Sequence, residues 1–142
     1  MSDDLREILL VEDNPLDIDL TRRAFAKRRL ANPIVVAYDG EEAMNLIDRW
    51  EQGEPAPALI LLDLKLPKVD GLDVLERLKS HPVYKLIPVV VLTTSSEDRD
   101  VEKAYRLGAN SYIVKPVSFE KFLEVAERIE VYWGVINQQW SR

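Results

Sequence analysis

The sequence has no cysteine and a single histidine. The first absence rules out a disulfide framework and any thiolate metal site, and it fits a reducing compartment, so a cytoplasmic location is expected. The histidine, His81, stands beside Pro82 in a polar connection and reads as a surface residue rather than a phosphate carrier. Long apolar runs are also missing. The first, Ile8 to Val11 within MSDDLREILLVEDN, is flanked by charge on both sides and is too short for a signal peptide or a membrane span. Positive charge is in deficit: 19 Lys and Arg against 25 Asp and Glu leave a formal net charge of −6. That balance argues against broad binding to a nucleic-acid backbone, so neither a nucleic acid nor a membrane is expected as a partner. There is no internal repeat and no low-complexity tract. With 46% hydrophobic and 31% charged residues the chain is not of a disordered composition. Its 142 residues fit one domain. We expect a core over residues 6–130 and a carboxyl-terminal helical extension over 131–142.

What is present is an alternation of short apolar runs and amphipathic segments. The runs are EILLV (7–11), IVVAY (34–38), ALILL (58–62), VVVL (89–92) and SYIV (111–114). They are rich in Val, Ile and Leu and do not alternate with polar residues, as parallel strands buried on both faces read. Helix signals fall between them. Asn14 and Pro15 give an N-cap and a proline at the first helical position, and Leu16, Leu20 and Ala24 then share a face. Asp39 followed by Glu42 reads as a capping box, leading into Ala43, Leu46, Ile47 and Trp50. Asp70 precedes Leu72, Leu75 and Leu78, and TTSSEDRD precedes Val101, Ala104 and Tyr105. Phe119, Phe122, Leu123 and Ala126 begin a last stripe. The order β-α, five times over, predicts an α/β fold with a doubly wound, five-stranded parallel sheet of order 2-1-3-4-5. Ligands of such sheets bind outside the carboxyl ends of the strands.

Those ends carry the chemistry. Strand one ends in Glu12 and Asp13, strand three in Asp63, strand four in Thr93 and strand five in Lys115. In a parallel sheet they share one rim. Each has a plain reading on its own: Asp13 as a helix cap, Asp63 as a strand exit, Thr93 as the start of a polar turn, Lys115 as a solvated lysine. Together they place three carboxylates against one ammonium, a balance that calls for a hard divalent cation such as Mg²⁺. A metal, a lysine and a hydroxyl around one carboxylate resemble a cradle for a transferring phosphoryl group, with Asp63 as nucleophile.

The motifs LVEDN (10–14), LLDLKLPKVDG (61–71), VVVLTT (89–94) and GANSYIVKP (108–116) resemble those of response-regulator receiver domains of two-component signalling. The resemblance spans residues 6–130. It implies that Asp63 is the phospho-acceptor. It implies that Glu12, Asp13, Asp63 and the backbone carbonyl of Lys65 hold Mg²⁺. It also implies that Thr93 and Lys115 contact the phosphoryl group, and that Thr93 and Tyr112 form a switch. Lys65 and Ser95 occupy positions that tune the lifetime of the acyl phosphate, Lys65 either by shielding it or by steering the partner. Thr94 stands where many receivers have a smaller residue. The implied donor is a sensor histidine kinase. The implied output is an unknown downstream protein, reached through the surface of helix four, strand five and helix five.

Beyond residue 130, Trp133, Ile136 and Trp140 continue the apolar stripe at near-helical spacing. They either fold back on their own domain or, as we expect, join the helix 4/strand 5/helix 5 face in a homodimer. The segment IEVYWG (129–134) is similar to that of small stand-alone regulators serving bacterial phytochrome kinases. Two other readings compete, and a third lacks support. A haloacid-dehalogenase-like phosphatase would need a second acid two residues after Asp63, where this chain has Lys65. A receiver-like adaptor that is never phosphorylated would be expected to lack the acceptor or an acid, and this chain has the full set. A flavodoxin-type carrier would need a Ser/Thr/Gly phosphate loop after strand one, which is missing. The protein is therefore expected to be a phospho-acceptor rather than a turnover enzyme.

Overall fold

The computed structural model describes residues 6–94, 97–115 and 118–128. Ten elements alternate: β1 (Ile8–Val11), α1 (Pro15–Lys27), β2 (Ile34–Ala37), α2 (Gly40–Glu51), β3 (Leu59–Leu62), α3 (Gly71–Lys79), β4 (Val89–Thr93), α4 (Asp98–Leu107), β5 (Ser111–Val114) and α5 (119–128). The five strands are parallel and lie in the order β2-β1-β3-β4-β5. Each apolar run of the sequence is a strand to within a residue or two. β1, β3 and β4 are buried along their whole length, because helices cover both sides of the sheet.

Successive side chains of a strand point to opposite faces, so the sheet divides the core in two. Leu9, Val11, Ile60, Leu62, Val89 and Val91 meet Ala43, Ile47, Val74, Leu75, Leu78 and Ala104 of α2, α3 and α4. Ile8, Leu10, Leu59, Leu61, Val90, Leu92 and Ile113 meet Ile18, Ala24, Phe25 and Phe122 of α1 and α5.

The helix starts follow the sequence signals. Asn14 Oδ1 accepts from the backbone N–H of Leu16 and Asp17, at 2.9 and 3.3 Å. Asp39 Oδ1 accepts from Glu42 N–H, while Glu42 Oε1 accepts from Tyr38 N–H, one residue before the position a capping box would use. Asp70 Oδ1 accepts from Leu72 N–H.

The buried face of α1 is not the one the leucine spacing predicts. Leu16 is 65% exposed, and Ile18, Thr21, Ala24 and Phe25 face the core. Thr21 belongs there because its hydroxyl donates to Asp17 O at 2.7 Å, which satisfies the polar group within the helix. On α4 only Ala104 is buried; Tyr105, expected on the inner face, is half exposed.

Candidate functional site

Backbone bonds that extend the sheet ladder by one step set the rim. Glu12 N–H donates to Ala37 O at 2.9 Å, Asp63 N–H to Val11 O at 3.0 Å, and Lys115 N–H to Thr93 O at 2.7 Å. Each site residue is thus tied to the last residue of the neighbouring strand. Glu12, Asp63 and Lys115 are thereby set along one rim.

Lys115 Nζ lies 2.6 Å from Glu12 Oε1, 3.0 Å from Asp63 Oδ2 and 2.8 Å from Asp17 Oδ2. Its side chain is 7% exposed, against 5% for Asp63 and 2% for Glu12. Burial alone would lower the Lys115 ammonium. Hydrogen bonds to Asp17, Glu12 and Asp63 outweigh it and hold the group above its ordinary value. Glu12 moves the opposite way. Burial raises its carboxyl to about 7, helped by repulsion from Asp63 and opposed by Lys115 and by the N–H of Asn14.

Asp63 Oδ1 accepts from Lys65 N–H at 3.0 Å, so both carboxylate oxygens are held. Thr93 closes β4 and is fully buried, whereas Thr94 is exposed. Asp13 is exposed, and the capping bonds of α1 go to Asn14 Oδ1. Ligand oxygens of Glu12, Asp13 and Asp63 all lie within 4.8 Å of one another. Three carboxylates at that spacing are a hard-oxygen donor set, which suits a divalent cation of the Mg²⁺, Mn²⁺ or Ca²⁺ class.

The loop after β3, residues 63–70, is held from outside by two close approaches. A Cβ on Gly71 would stand 2.4 Å from Asp63 O, and one on Gly40 2.1 Å from Val69 O. Gly71 N–H donates to Leu64 O at 3.0 Å and Gly40 N–H to Pro67 O at 3.2 Å, so α3 and α2 both press on residues 63–70. The Lys65 ammonium points to Asp100 of α4, at 3.7 Å. Tyr112 is half-buried on β5, its ring 6.4 Å from that of Tyr105. Ser95, Trp133, Ile136 and Trp140 lie outside the described residues.

Asp17 is the residue the sequence reading missed. It stands in the first turn of α1, where an acid is explained by the helix dipole alone. The available signal was its place three residues after the Asn14 cap, on a helix that starts at the rim carrying Glu12 and Asp13.

Comparison with known proteins agrees with this geometry. The Response regulator Rcp1 of Synechocystis sp. is 40% identical over 130 residues, covering 89% of this chain and 87% of the relative. The probable methanogenesis regulatory protein FilR2 of Methanothrix harundinacea is 44% identical over 127 residues, covering 89% and 82%. Among solved structures, the phosphorylated cyanobacterial phytochrome response regulator RcpA superposes with a TM-score of 0.79 at 41% identity, over 90% of this chain and 93% of that one. The bacteriophytochrome response regulator AtBRR gives 0.72 at 48% identity, over 88% and 91%. A Mn²⁺-bound form of Rcp1 is also similar, with a TM-score of 0.79 at 38% identity over 90% and 94%. The family profile of the response regulator receiver domain matches residues 8–127, from β1 through α5, and with it every strand end described above; the chain belongs to that family.

Proposed function

We propose that the protein is a stand-alone response regulator that accepts a phosphoryl group on Asp63 and signals through protein–protein contact. The carrying observation is the Lys115 ammonium at 3.0 Å from Asp63 Oδ2, beside three carboxylates gathered within 4.8 Å. The donor is a phosphohistidine on a sensor histidine kinase. Similarity to a cyanobacterial phytochrome response regulator and a bacteriophytochrome response regulator, at 41% and 48% identity, favours a photoreceptor kinase of that class.

In the transfer, a carboxylate oxygen of Asp63 attacks phosphorus, the P–N bond breaks, and the imidazole keeps the electron pair and takes up a proton. The O–P bond made is an acyl phosphate, which water later cleaves to carboxylate and inorganic phosphate. Glu12, Asp13, Asp63 and the Lys65 carbonyl would hold Mg²⁺, which supplies charge neutralisation at the phosphoryl oxygens. Lys115 pairs with one of those oxygens and Thr93 hydrogen-bonds another. Asp63, buried at the rim and fixed through both oxygens, is presented at one depth, so little reorganisation is needed. Each transfer occupies the Asp63 carboxylate until water releases the phosphate, so the protein acts as a phospho-acceptor whose phosphotransfer and dephosphorylation take place on itself.

The acyl phosphate biases a pre-existing equilibrium in which Thr93 and Tyr112 change place, and the surface of α4, β5 and α5 carries the change to a partner or a second copy. Lys65 and Ser95 tune its lifetime. The test is incubation of the full chain with acetyl phosphate and Mg²⁺. One phosphoryl mass is expected on the intact protein, stable in acid and labile to hydroxylamine, and absent from Asp63→Asn. An adduct that persists in that variant removes Asp63 as acceptor.

A further inference from the structure

We infer that Asp17 is a positioning residue for Lys115, holding its ammonium so that one N–H is kept for the group arriving on Asp63. The inference rests on Asp63 being the acceptor. An ammonium has three donors, and at Lys115 they meet three acceptors from three elements: Glu12 at the end of β1, Asp17 in the first turn of α1, and Asp63 at the end of β3. The lysine stem must cross from β5, past β4, to reach them. A side chain with that many rotamers stays in one place only if its far end is anchored.

Of the three acids, Asp63 changes during transfer: one of its oxygens becomes an ester oxygen, and the negative charge moves outward onto the phosphoryl group. Glu12 is shared, because Oε2 accepts from Asn14 N–H and the carboxylate belongs to the three-acid cluster. Asp17 is outside that cluster, and its side chain is only 14% exposed. Its charge is directed at Lys115. With Glu12 and Asp17 holding two N–H bonds, the third can follow the charge from Asp63 Oδ2 to a phosphoryl oxygen without the ammonium leaving its seat. Thr21 fixes the same turn of α1 by donating to Asp17 O at 2.7 Å, so the backbone under the carboxylate is itself tied.

The experiment uses the full chain with acetyl phosphate and Mg²⁺, comparing wild type with Asp17→Ala, Asp17→Asn, Lys115→Ala and the double variant Asp17→Ala/Lys115→Ala. Loss of the anchor is expected to slow phosphorylation in Asp17→Ala by up to about a hundredfold, the scale on which a misplacement of about 1 Å is felt. Asp17→Asn, which keeps an oxygen acceptor, is expected to fall between it and wild type. Added to Lys115→Ala, the Asp17 change is expected to cost nothing further, because its effect runs through that lysine. The ¹H–¹⁵N resonance of the Lys115 ammonium should be visible in wild type and broadened by exchange with water in Asp17→Ala, with the backbone amide spectrum retained. An Asp17→Ala rate equal to wild type, or an equal loss in the Lys115→Ala background, overturns the inference. If wild type takes no phosphoryl group, the acceptor reading fails instead, and the ammonium resonance still decides whether Asp17 holds Lys115.

Discussion

Glu12 carries a proton problem that the folded chain has not removed. Burial raises its carboxyl from 4.5 to about 7, and Asp63 adds to the rise, while Lys115 and Asn14 N–H only partly oppose it. The folded state therefore binds a proton that the unfolded chain has released, and without a cation, stability falls as pH climbs from about 4.5 to about 7. In a chelating buffer the melting temperature of wild type should drop between about pH 5 and about pH 8, and Glu12→Gln should lose much of that slope. At the upper end the variant should melt higher, by on the order of 5 °C. Circular dichroism melts decide it: a difference between the two proteins that is independent of pH removes Glu12 as the source. The rim placement of Glu12, Asp63, Thr93 and Lys115 was legible because each directly follows an apolar run, with Asp13 next to Glu12, and parallel pairing brings run ends to one edge. Asp17 was not, because its role depends on how α1 is rotated about its own axis. That rotation is set by Ile18, Thr21, Ala24 and Phe25, not by the leucines that the spacing favoured.

At the level of elements, strands were easier to read than helix faces for a physical reason. A strand buried on both sides declares itself in four or five consecutive apolar residues, whereas a helix face is a choice among overlapping stripes. On α1 the stripes Leu16–Leu20–Ala24 and Ile18–Thr21–Phe25 overlap; Ile18, Thr21, Ala24 and Phe25 are buried, and the Thr21 hydroxyl is satisfied within the helix by Asp17 O. The contact of α3 with the loop after β3 was not legible in the sequence, where Gly71 only closes the motif LLDLKLPKVDG. The structure gives it a cause: an added Cβ at Gly71 would stand 2.4 Å from Asp63 O and 2.5 Å from Leu64 Cα, and backbone on both sides cannot yield cheaply. Gly71→Ala should cost about 1–3 kcal/mol, the usual range for overpacking, read as a lowered urea midpoint at unchanged slope. Because the clash falls on the carbonyl of the acceptor itself, the same variant should also take phosphoryl from acetyl phosphate more slowly. Wild-type stability in Gly71→Ala would mean that α3 starts farther from the loop than described.

For the whole molecule, burial is unevenly shared around the sheet. α4 fully buries only Ala104, with Leu107 part-buried against the core, and beside it Tyr105 is 50% and Val114 42% exposed. Contacts that join this region to the rim include Lys65, which faces Asp100 of α4, and Thr93 O, which accepts the backbone N–H of Lys115. α2 and α3, in contrast, are tied to each other by Arg77, which donates to Met44 O and pairs with Asp48 and Glu51. The homodimer proposed for this face would cover Tyr105 and Val114 and would draw on Trp133, Ile136 and Trp140. A stable interface needs about 800 Å² from each copy, and central aromatic residues carry much of its energy. Tyr105→Arg leaves the rim untouched and places a charge in the middle of the face. Sedimentation velocity over a concentration series should show wild type as a dimer and Tyr105→Arg with a dissociation constant raised about tenfold or more. Phosphorylation with acetyl phosphate should shift the wild-type equilibrium and leave that of Asp63→Asn unchanged. A wild-type chain that sediments as a monomer at every concentration, phosphorylated or not, would leave the exposed tyrosine and valine to a different protein and end the case for self-association.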